Sequence, residues 1–256
     1  MSLLTVISPA KKMDFNPKRS ALTLTTPEFA VQANELIQQA QRWSAEDISR
    51  VMKLSDALAK LNYERYQSFN FTEGGENEKA ALLAFQGDVY KGLDGQSLTD
   101  EQIFEANDRL RIISGLYGLL RPLDRIQPYR LEMGTRIDTN AGTTLYQYWG
   151  NSISDALNAQ ADKIGASHLI NLASQEYFKA VPINALVVPV ITCHFKEIRN
   201  GKPTIVSFNA KRARGLMVRF ILTEGISNTE YLKNFDAEGY LFTPDLSDEN
   251  NMTFLK

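Results

Sequence analysis

Side chains that bind transition metals or form disulfides are scarce in this chain. It has one cysteine and two histidines in 256 residues, which excludes an internal disulfide and leaves no ligand spacing typical of zinc. Cys193 and His194 are adjacent, so on a strand they would point to opposite faces. Cys193 lies in an apolar run, which predicts a buried, unreactive thiol. The sequence predicts neither a metal nor a cofactor, and a single cysteine is typical of the reducing cytoplasm.

Several common sequence signals are also missing. The patterns G-x-S-x-G, G-x-x-x-x-G-K-[ST] and G-x-G-x-x-G do not occur, which disfavours a serine hydrolase, an ordinary nucleotide hydrolase and a dehydrogenase. No apolar run approaches the length of a membrane span. The start of the chain is typical of a first strand, Leu3–Ile7, and not of a signal peptide. Without repeats or linkers, residues 1–256 are predicted to form one domain.

Charge is distributed unevenly along the chain. The net charge of −2 argues by itself against a nucleic-acid binder. However, Lys211–Arg219 contains four basic residues and no acid, whereas Asp236–Asn251 contains five acids and no base. Such asymmetry can leave a basic cleft on a protein that is acidic overall.

The segment Ser114–Gly134 combines backbone irregularity with anion-binding side chains. It holds three glycines, two prolines and three arginines, but only two acids. Glycine and proline fix unusual backbone shapes, and arginine is a fork-shaped donor suited to phosphate or carboxylate. We therefore predict an anion site here, in which Arg121 and Arg130 are the strongest candidates.

Basic residues also follow other predicted elements. Lys11 follows the first strand, where open α/β sheets build ligand sites, and Lys179 follows another strand, beyond a possible helix cap at Ser174. Lys211 and Arg214 share one face of a predicted helix. The alternatives are a solvated loop lysine, a simple capped turn and a solvated basic helix. The predicted anion-binding and nucleic-acid-binding residues are Lys11, Arg121, Arg130, Lys179, Lys211 and Arg214, and we expect them to converge on one concavity.

Helix signals are strongest in the first half of the chain. Thr25 or Thr26 predicts a helix start that leads to about Trp43. Ser44–Phe69 predicts two short helices joined by a tight turn, the first capped by Ser44. This outline is typical of a helix-hairpin-helix element, although a plain helical hairpin is commoner. Further helices are predicted at Glu76–Phe85, Glu101–Leu110, Leu145–Ala159 and Ala210–Leu222.

Strand signals alternate with the helices. The apolar run Ala185–Phe195 predicts a strand buried on both faces, and Asn200-Gly201 predicts a hairpin turn. The predicted strands are Leu3–Ile7, Val89–Tyr90, Arg111–Ile113, His168–Leu172, Ala185–Phe195 and Thr204–Phe208. The expected fold is mixed α/β (α+β): a single compact domain with a central mixed sheet, flanking helices and a helix-hairpin-helix-like element near residues 44–69.

Several of these segments together resemble a known family. SPAK at Ser8–Lys11, FQGDVYKGL at Phe85–Leu93 and SGLYGLLRPLD followed by QPYRLEMG are similar to the bacterial peroxide-stress protein YaaA family. LYQYWG, NLAS-x-EYFKAV and KRARGLM extend the resemblance over essentially the whole chain.

The resemblance implies a cytoplasmic protein that is induced by hydrogen peroxide and limits damage by holding down available iron. It also implies a DNA-binding protein with its own type of mixed α/β fold, a positively charged cleft and a helix-hairpin-helix element, associated with recombinational repair. We place that element at Ser44–Phe69. The resemblance supplies no catalytic residue.

Three functional hypotheses follow. The first is a protein that binds DNA through sequence-independent phosphate contacts, with no membrane and no obligate protein partner. The second is an enzyme acting on a nucleotide, nucleobase or similar anionic substrate, with Asp124 and Glu132 as candidate acid–base groups. In the structural alternative, which we favour, these carboxylates pair with Arg121 and Arg130 to lock the loop. The third is direct iron binding through oxygen ligands, which is less plausible than an indirect effect on iron.

Overall fold

A largely parallel sheet lies at the centre of the computed structural model, which describes residues 2–16, 22–70 and 77–256. Within these residues the chain forms fourteen strands. The strands are β1 (Ser2–Ile7), β2 (Lys12–Met13), β3 (Lys79–Ala80), β4 (Phe85–Gln86), β5 (Leu110–Ser114), β6 (Gly118–Leu120), β7 (Arg125–Ile126), β8 (Arg136–Thr139), β9 (Gly142–Thr144), β10 (Ala166–Asn171), β11 (Val190–Arg199), β12 (Lys202–Thr204), β13 (Leu241–Phe242) and β14 (Asn251–Leu255).

The main sheet has the order β13-β14-β11-β10-β1-β5-β6, and β12 pairs with β11. Its five middle strands are parallel, whereas β6, β12 and β13 are antiparallel additions. Val6 of β1 lies opposite Asn171 of β10 on one side and Arg111 of β5 on the other. Leu3–Ile7 are fully or almost fully buried, as expected for a parallel strand covered on both faces. The predicted α/β fold with a mixed sheet is confirmed.

The strand order reverses beside β1. From β1 the chain moves to β5 and β6 on one side, and it later returns to β10, β11 and β14 on the other. Open α/β sheets bind ligands where the order reverses, outside the carboxyl ends of the strands. A ligand site is therefore expected at the carboxyl ends of β1, β5 and β10.

Eleven α-helices surround the sheet in the described residues, and α10 packs on β11 while α8 packs on β1 and β10. None of them combines the length and apolar composition that crossing a membrane requires. The helices are α1 (Ala30–Ala40), α2 (Ala45–Met52), α3 (Asp56–Gln67), α4 (Ala81–Ala84), α5 (Asp88–Leu93), α6 (Asp100–Arg109), α7 (Leu145–Trp149), α8 (Ser152–Ile164), α9 (Gln175–Phe178), α10 (Ser207–Thr223) and α11 (Thr229–Leu232).

Two helix starts follow their sequence signals closely. Ser44 forms a reciprocal capping box with Asp47 at α2, and Thr99 forms one with Gln102 at α6. Lys53 ends α2 in the left-handed conformation with φ 52°, and α3 begins three residues later. The predicted pair of short helices joined by a tight turn is confirmed, while its identity as a DNA-binding helix-hairpin-helix stays a prediction.

Other helix predictions were displaced by tertiary contacts. Helix α1 begins at Ala30 instead of following a cap at Thr25 or Thr26, because the Thr25 hydroxyl donates to Asp124 at 2.6 Å. The described part of Glu76–Phe85 forms two short strands around α4, since β3 pairs with β7 and β4 pairs with β2. The predicted helix Leu145–Ala159 is two helices, interrupted at Gly150, which has φ 47°.

Two strand predictions were wrong. Val89–Tyr90 lies in α5, which packs against α10 at a glycine contact: a Cβ at Gly215 would lie 1.8 Å from the Val89 carbonyl oxygen. The strand predicted at Thr204–Phe208 ends at Thr204, and α10 begins at Ser207. The hairpin turn itself is present, with Asn200 and Gly201 at φ 52° and 74°.

Strand β11 is buried on one face only. Burial alternates along it, so Cys193 and Phe195 are buried whereas Thr192 and His194 are half-buried. The expectation of burial on both faces was therefore wrong for this strand. Cys193 and His194 do point to opposite faces, and His194 contacts Asn251 at 2.9 Å. Burial raises the pKa of the Cys193 thiol to about 12, as an unreactive thiol requires.

Candidate anion-binding site

Serine hydroxyls join the carboxyl ends of β1 and β10. The Ser8 Oγ accepts from the backbone N–H of Ser174 at 2.8 Å and donates to the Ser174 Oγ at 3.2 Å. The Ser8 carbonyl oxygen accepts from the Tyr90 hydroxyl at 3.1 Å. Ser174 stands before α9, but its side chain does not cap that helix. These bonds hold the two strand ends together at the point where the strand order reverses.

Two predicted cations meet at one carboxylate beside these strand ends. The Lys11 Nζ lies 2.8 Å from Glu132 Oε2. The Arg130 Nε and a terminal nitrogen of its guanidinium donate to Glu132 Oε1 at 3.1 and 3.0 Å. Lys11 comes from the loop after β1, and Arg130 comes from Ser114–Gly134, which we call the central segment. Residues far apart in sequence therefore form this cluster. We call Lys11, Arg130 and Glu132 the edge cluster.

Helix α3 carries a further cation, Arg65, near Arg130 of the edge cluster. The Tyr66 hydroxyl donates to the Arg130 carbonyl oxygen, which fixes that residue against the helical hairpin. Burial lowers the pKa of the Arg65 guanidinium, and the positive charge of Arg130 lowers it further. Two guanidiniums that repel each other cost free energy, which a bound anion would recover. The helical hairpin and the central segment therefore contribute to the same positive surface.

Tyrosines form the wall of the cleft beside the edge cluster. Tyr129 is buried, and its hydroxyl bonds to the Ser114 Oγ at the end of β5 over 2.6 Å. Tyr177 of α9 also lines the cleft. Burial raises the pKa of both hydroxyls, so both stay neutral and able to donate hydrogen bonds at physiological pH.

The central segment is folded back on itself at this edge. A Cβ at Gly115 would lie 2.3 Å from the Leu131 carbonyl oxygen, so only glycine permits this approach. The Gly115 carbonyl accepts from Trp149 Nε1 at 3.0 Å, and the Gly134 N–H donates to Glu176 Oε1 at 3.1 Å. The irregular shape predicted from sequence therefore places residues 129–132 over the ends of β1 and β5.

Lys179 lies near this edge, just after α9. Its Nζ is 5.1 Å from the centre of the Tyr146 ring, a cation–π contact. The Tyr146 hydroxyl donates to the Glu176 carbonyl oxygen at 2.9 Å. Because Glu176 also binds Gly134, Lys179 belongs to the network that supports the end of the central segment.

Arg121 and Asp124 lie away from the edge cluster. β6 is antiparallel to β5 and carries the chain back from the carboxyl edge, so Arg121 follows it toward the amino end of β5. Asp124 is fully buried and accepts from the Arg121 backbone at 2.7 Å, the Arg121 Nε at 3.0 Å and Thr25 at 2.6 Å. Burial raises the pKa of Asp124 despite these bonds. The expected convergence of all the cations does not extend to Arg121, and Asp124 braces the loop.

Lys211 and Arg214 lie on α10. Lys211 is exposed, while Arg214 is partly buried beside Cys193, and that burial lowers the pKa of its guanidinium. Asn209 in the first turn donates to Glu197 Oε1 at 2.6 Å. This bond places the start of α10 beside the carboxyl end of β11. Lys211 is therefore the more accessible of these two cations.

The cleft at the edge cluster is narrow. Its free volume is about 10 Å³, near the lower limit for one water molecule. It holds both a carboxylate and arginine, as an enzyme pocket would, but with Glu132 in place it leaves no room for a nucleotide. In the described part of the chain, no three metal-ligating side chains gather in one place.

Sequence reasoning missed three contributors to this site. Ser8 and Tyr129 appeared there only as members of sequence motifs. Arg65 was not singled out, although it lies in the predicted helical hairpin. The signal that could have found it is its place in the last turn of α3, one residue before the buried Tyr66.

Comparison with known proteins finds relatives over almost the full length of the chain. The model of a family described as peroxide stress protein YaaA matches residues 3–246. A UPF0246 protein of Caulobacter vibrioides is 48% identical over 254 residues, which cover 99% of both chains. A UPF0246 protein of Saccharophagus degradans is 47% identical over 254 residues, which cover 99% of both chains. One of Aliivibrio fischeri is 45% identical over 252 residues, which cover 98% of this chain and 97% of the relative.

Fold and site together define an α/β protein with a cationic cluster at the carboxyl edge of its parallel sheet. The chain belongs to the peroxide stress protein YaaA family. The resemblance stated from the sequence motifs is thus confirmed, and the family name associates the chain with the response to hydrogen peroxide.

Proposed function

We propose that this protein binds DNA during the peroxide response, through phosphate contacts made at the carboxyl edge of its sheet. The observation that carries the proposal is the meeting of Lys11 and Arg130 at a single carboxylate, Glu132, with Arg65 of α3 close enough to Arg130 to feel its charge. Lys11 and Arg130 against the one carboxylate of Glu132 leave the edge cluster with a net charge of +1, although the whole chain carries −2. Such a surface attracts phosphate without reading base sequence.

The helical hairpin supports a nucleic acid as the anion. Arg65 lies on α3 and Tyr66 binds the Arg130 backbone, so the hairpin is joined to the edge cluster. An extended polyanion could contact the hairpin, Lys11 and Lys179 together. A small nucleotide would need an open pocket, whereas the present cleft is narrow.

Titration of a fluorescent 20-base-pair duplex in increasing salt tests this proposal. The logarithm of the binding constant should fall by about 0.9 for each phosphate contact per logarithmic unit of salt. Arg65→Ala should weaken binding and reduce that slope by about one contact. Binding that does not respond to salt would contradict the proposal.

Lys163→Ala provides the matched control. Lys163 is 67% exposed and pairs with Asp108 at 3.3 Å, but it lies at the end of α8, beside the amino end of β10. It removes the same charge from the opposite edge of the sheet, so its effect on affinity should be small. An equal loss in both variants would mean that binding follows net charge and not the edge cluster.

We also propose that the protein acts in the cytoplasm and helps to limit iron-dependent oxidative damage. The family name supports the link to peroxide, and one buried cysteine suits a reducing compartment. Cells lacking the protein should contain more chelatable iron after peroxide treatment than cells that express it. Equal iron levels in the two strains would remove this part of the proposal.

A further inference from the structure

The carboxylate of Glu132 occupies the position where an anionic ligand would bind. Both of its oxygens are engaged: Oε2 by Lys11 at 2.8 Å, and Oε1 by two nitrogens of Arg130 at 3.0 and 3.1 Å. This is how a basic site holds an external carboxylate or phosphate. The side chains of Arg130 and Glu132 are only 16% and 22% exposed, while Lys11 is 62% exposed. The pair thus lies in the cleft and Lys11 covers it from outside.

We propose that the edge cluster is a subsite for a terminal phosphate group and that Glu132 is its internal occupant when no ligand is bound. The ligand class is a phosphomonoester, such as the phosphorylated end of a DNA strand. Binding moves Glu132 out, and the phosphate oxygens take its place on Lys11 and Arg130. This inference rests on the proposed DNA binding and specifies which part of the DNA reaches the cleft.

Charge favours a terminal phosphate over a phosphate within the strand. Without Glu132, Lys11 and Arg130 present two positive charges. A phosphomonoester carries a charge of about −1.5 to −2 at pH 7, whereas a bridging phosphodiester carries only one negative charge. The doubly charged group therefore matches the emptied subsite and competes best with the carboxylate of Glu132.

Space leads to the same ligand. The free volume of about 10 Å³ admits no ligand while Glu132 is in place, so binding requires its carboxylate to leave. The departure is inexpensive on the Lys11 side, because an ion pair with an exposed lysine contributes little. The vacated space is that of one carboxylate, which suits one phosphate group and not a base.

Hydroxyl groups lie beside the subsite. Ser8 and Ser174 lie at the strand ends that lead to it, and Tyr129 and Tyr177 line the same cleft. A phosphate has three terminal oxygens, of which Lys11 and Arg130 would take two. A neutral hydroxyl is the donor expected for the third.

A hairpin oligonucleotide with a dye in its loop and one blunt end tests the proposal. The same oligonucleotide is prepared with a 5′-phosphate and with a 5′-hydroxyl, and the ratio of their dissociation constants is measured by anisotropy. The wild type should bind the phosphorylated end about fivefold more tightly. Glu132→Gln removes the competing charge and should raise that preference about tenfold further, whereas Lys11→Ala should bring it close to one.

Matched variants separate the subsite from overall charge. Glu105→Gln changes net charge as Glu132→Gln does, because Glu105 pairs with Arg109 on α6 near the amino edge of the sheet, and it should leave the ratio unchanged. Lys163→Ala does the same for Lys11→Ala. Circular dichroism melting of each variant checks that it is folded, and Glu132→Ala replaces Glu132→Gln if the glutamine variant melts early.

The outcomes distinguish this proposal from the one on which it rests. If the wild type and Glu132→Gln bind both hairpins equally and with strong salt dependence, the subsite is overturned while DNA binding stands. If neither hairpin binds, inorganic phosphate is titrated into labelled Glu132→Gln and followed by NMR. Shifts around residues 11 and 130 would support the subsite without DNA, and their absence would overturn both proposals.

Discussion

Individual side chains in this protein do different work from what their types alone suggest. Asp124 and Glu132 both pair with arginines, yet Asp124 is fully buried against Arg121 while Glu132 lies in a cleft between Arg130 and Lys11. The antiparallel β6 strand separates the two pairs, since it turns the chain away from the carboxyl edge. Of the two carboxylates, Glu132 is the one that lies in a cleft, as the proposed exchange with a ligand requires.

Cys193 should be nearly inert in the folded protein. Its thiol is buried and its pKa is raised to about 12, whereas a free cysteine has a pKa near 8.5. Since the raised pKa reduces the thiolate fraction at pH 8, labelling by Ellman's reagent should be at least about a hundredfold slower than for a free thiol. Labelling should become fast in 6 M guanidinium chloride.

The control for this measurement is the pH dependence of labelling. Because the pKa is raised, the thiolate appears only at strongly alkaline pH, so the rate of the folded protein should still be rising above pH 9. A rate that levels off near pH 9, as for an ordinary thiol, would show that Cys193 is accessible and that its burial is misassigned.

At the scale of helices and strands, local signals succeeded where local bonds decide the structure. Ser44 caps its helix as predicted, and the helix predicted near Glu101 begins at a second capping box, that of Thr99, because a capping box is complete within four residues. Val89–Tyr90 was wrongly predicted to be a strand. Its helix, α5, packs against α10 through close backbone contacts at Gly92 and Gly215, and these contacts join residues remote in sequence. Periodicity cannot reveal such a contact.

Helix capping predicts that alanine substitutions of two serines, Ser44 and Ser55, differ in their effect on the free energy of unfolding. Ser44 accepts from the Asp47 N–H at 3.1 Å, whereas Ser55, before α3, makes no side-chain cap bond. Ser44→Ala should lower the free energy of unfolding by about 1 kcal/mol, and Ser55→Ala should cost less than half of that. Urea unfolding monitored by circular dichroism measures both changes, and equal losses would refute the assignment of the cap.

The whole molecule sets how far the site could be foreseen. The fold class and the meeting of Lys11 and Arg130 at one cleft could be predicted from the sequence, because strand ends and glycine-rich turns are local patterns. The pairing of Arg121 with Asp124 and of Arg130 with Glu132 was also predicted, because these residues are close in sequence. The contact of Lys11 with Glu132 and the proximity of Arg65 to Arg130 were not, since they form only when the sheet and the hairpin assemble. Arg121 was grouped with them because antiparallel β6 was not predicted.

Lys211 tests how widely bound DNA spreads over the molecule. It is exposed on α10, which begins near the far end of β11. If the DNA path extends from the edge cluster to α10, Lys211→Ala should weaken duplex binding about two- to fivefold, with a salt slope lower by about 0.9. Lys163→Ala is again the reference, and an unchanged affinity for Lys211→Ala would confine the path to the hairpin and the edge cluster.

The position of β1 in the chain also affects how the protein folds during translation. In the chain β1 comes before both of its partners, since β5 begins at Leu110 and β10 at Ala166. The stretch Leu3–Ile7, which is apolar except for Thr5, therefore has no partner strand until β5 is made and lacks its second partner until β10 is made. Such long-range pairing is slow. Nascent chains released before β10 is made expose an unpaired hydrophobic strand, so we expect prematurely terminated products to aggregate or to be held by chaperones.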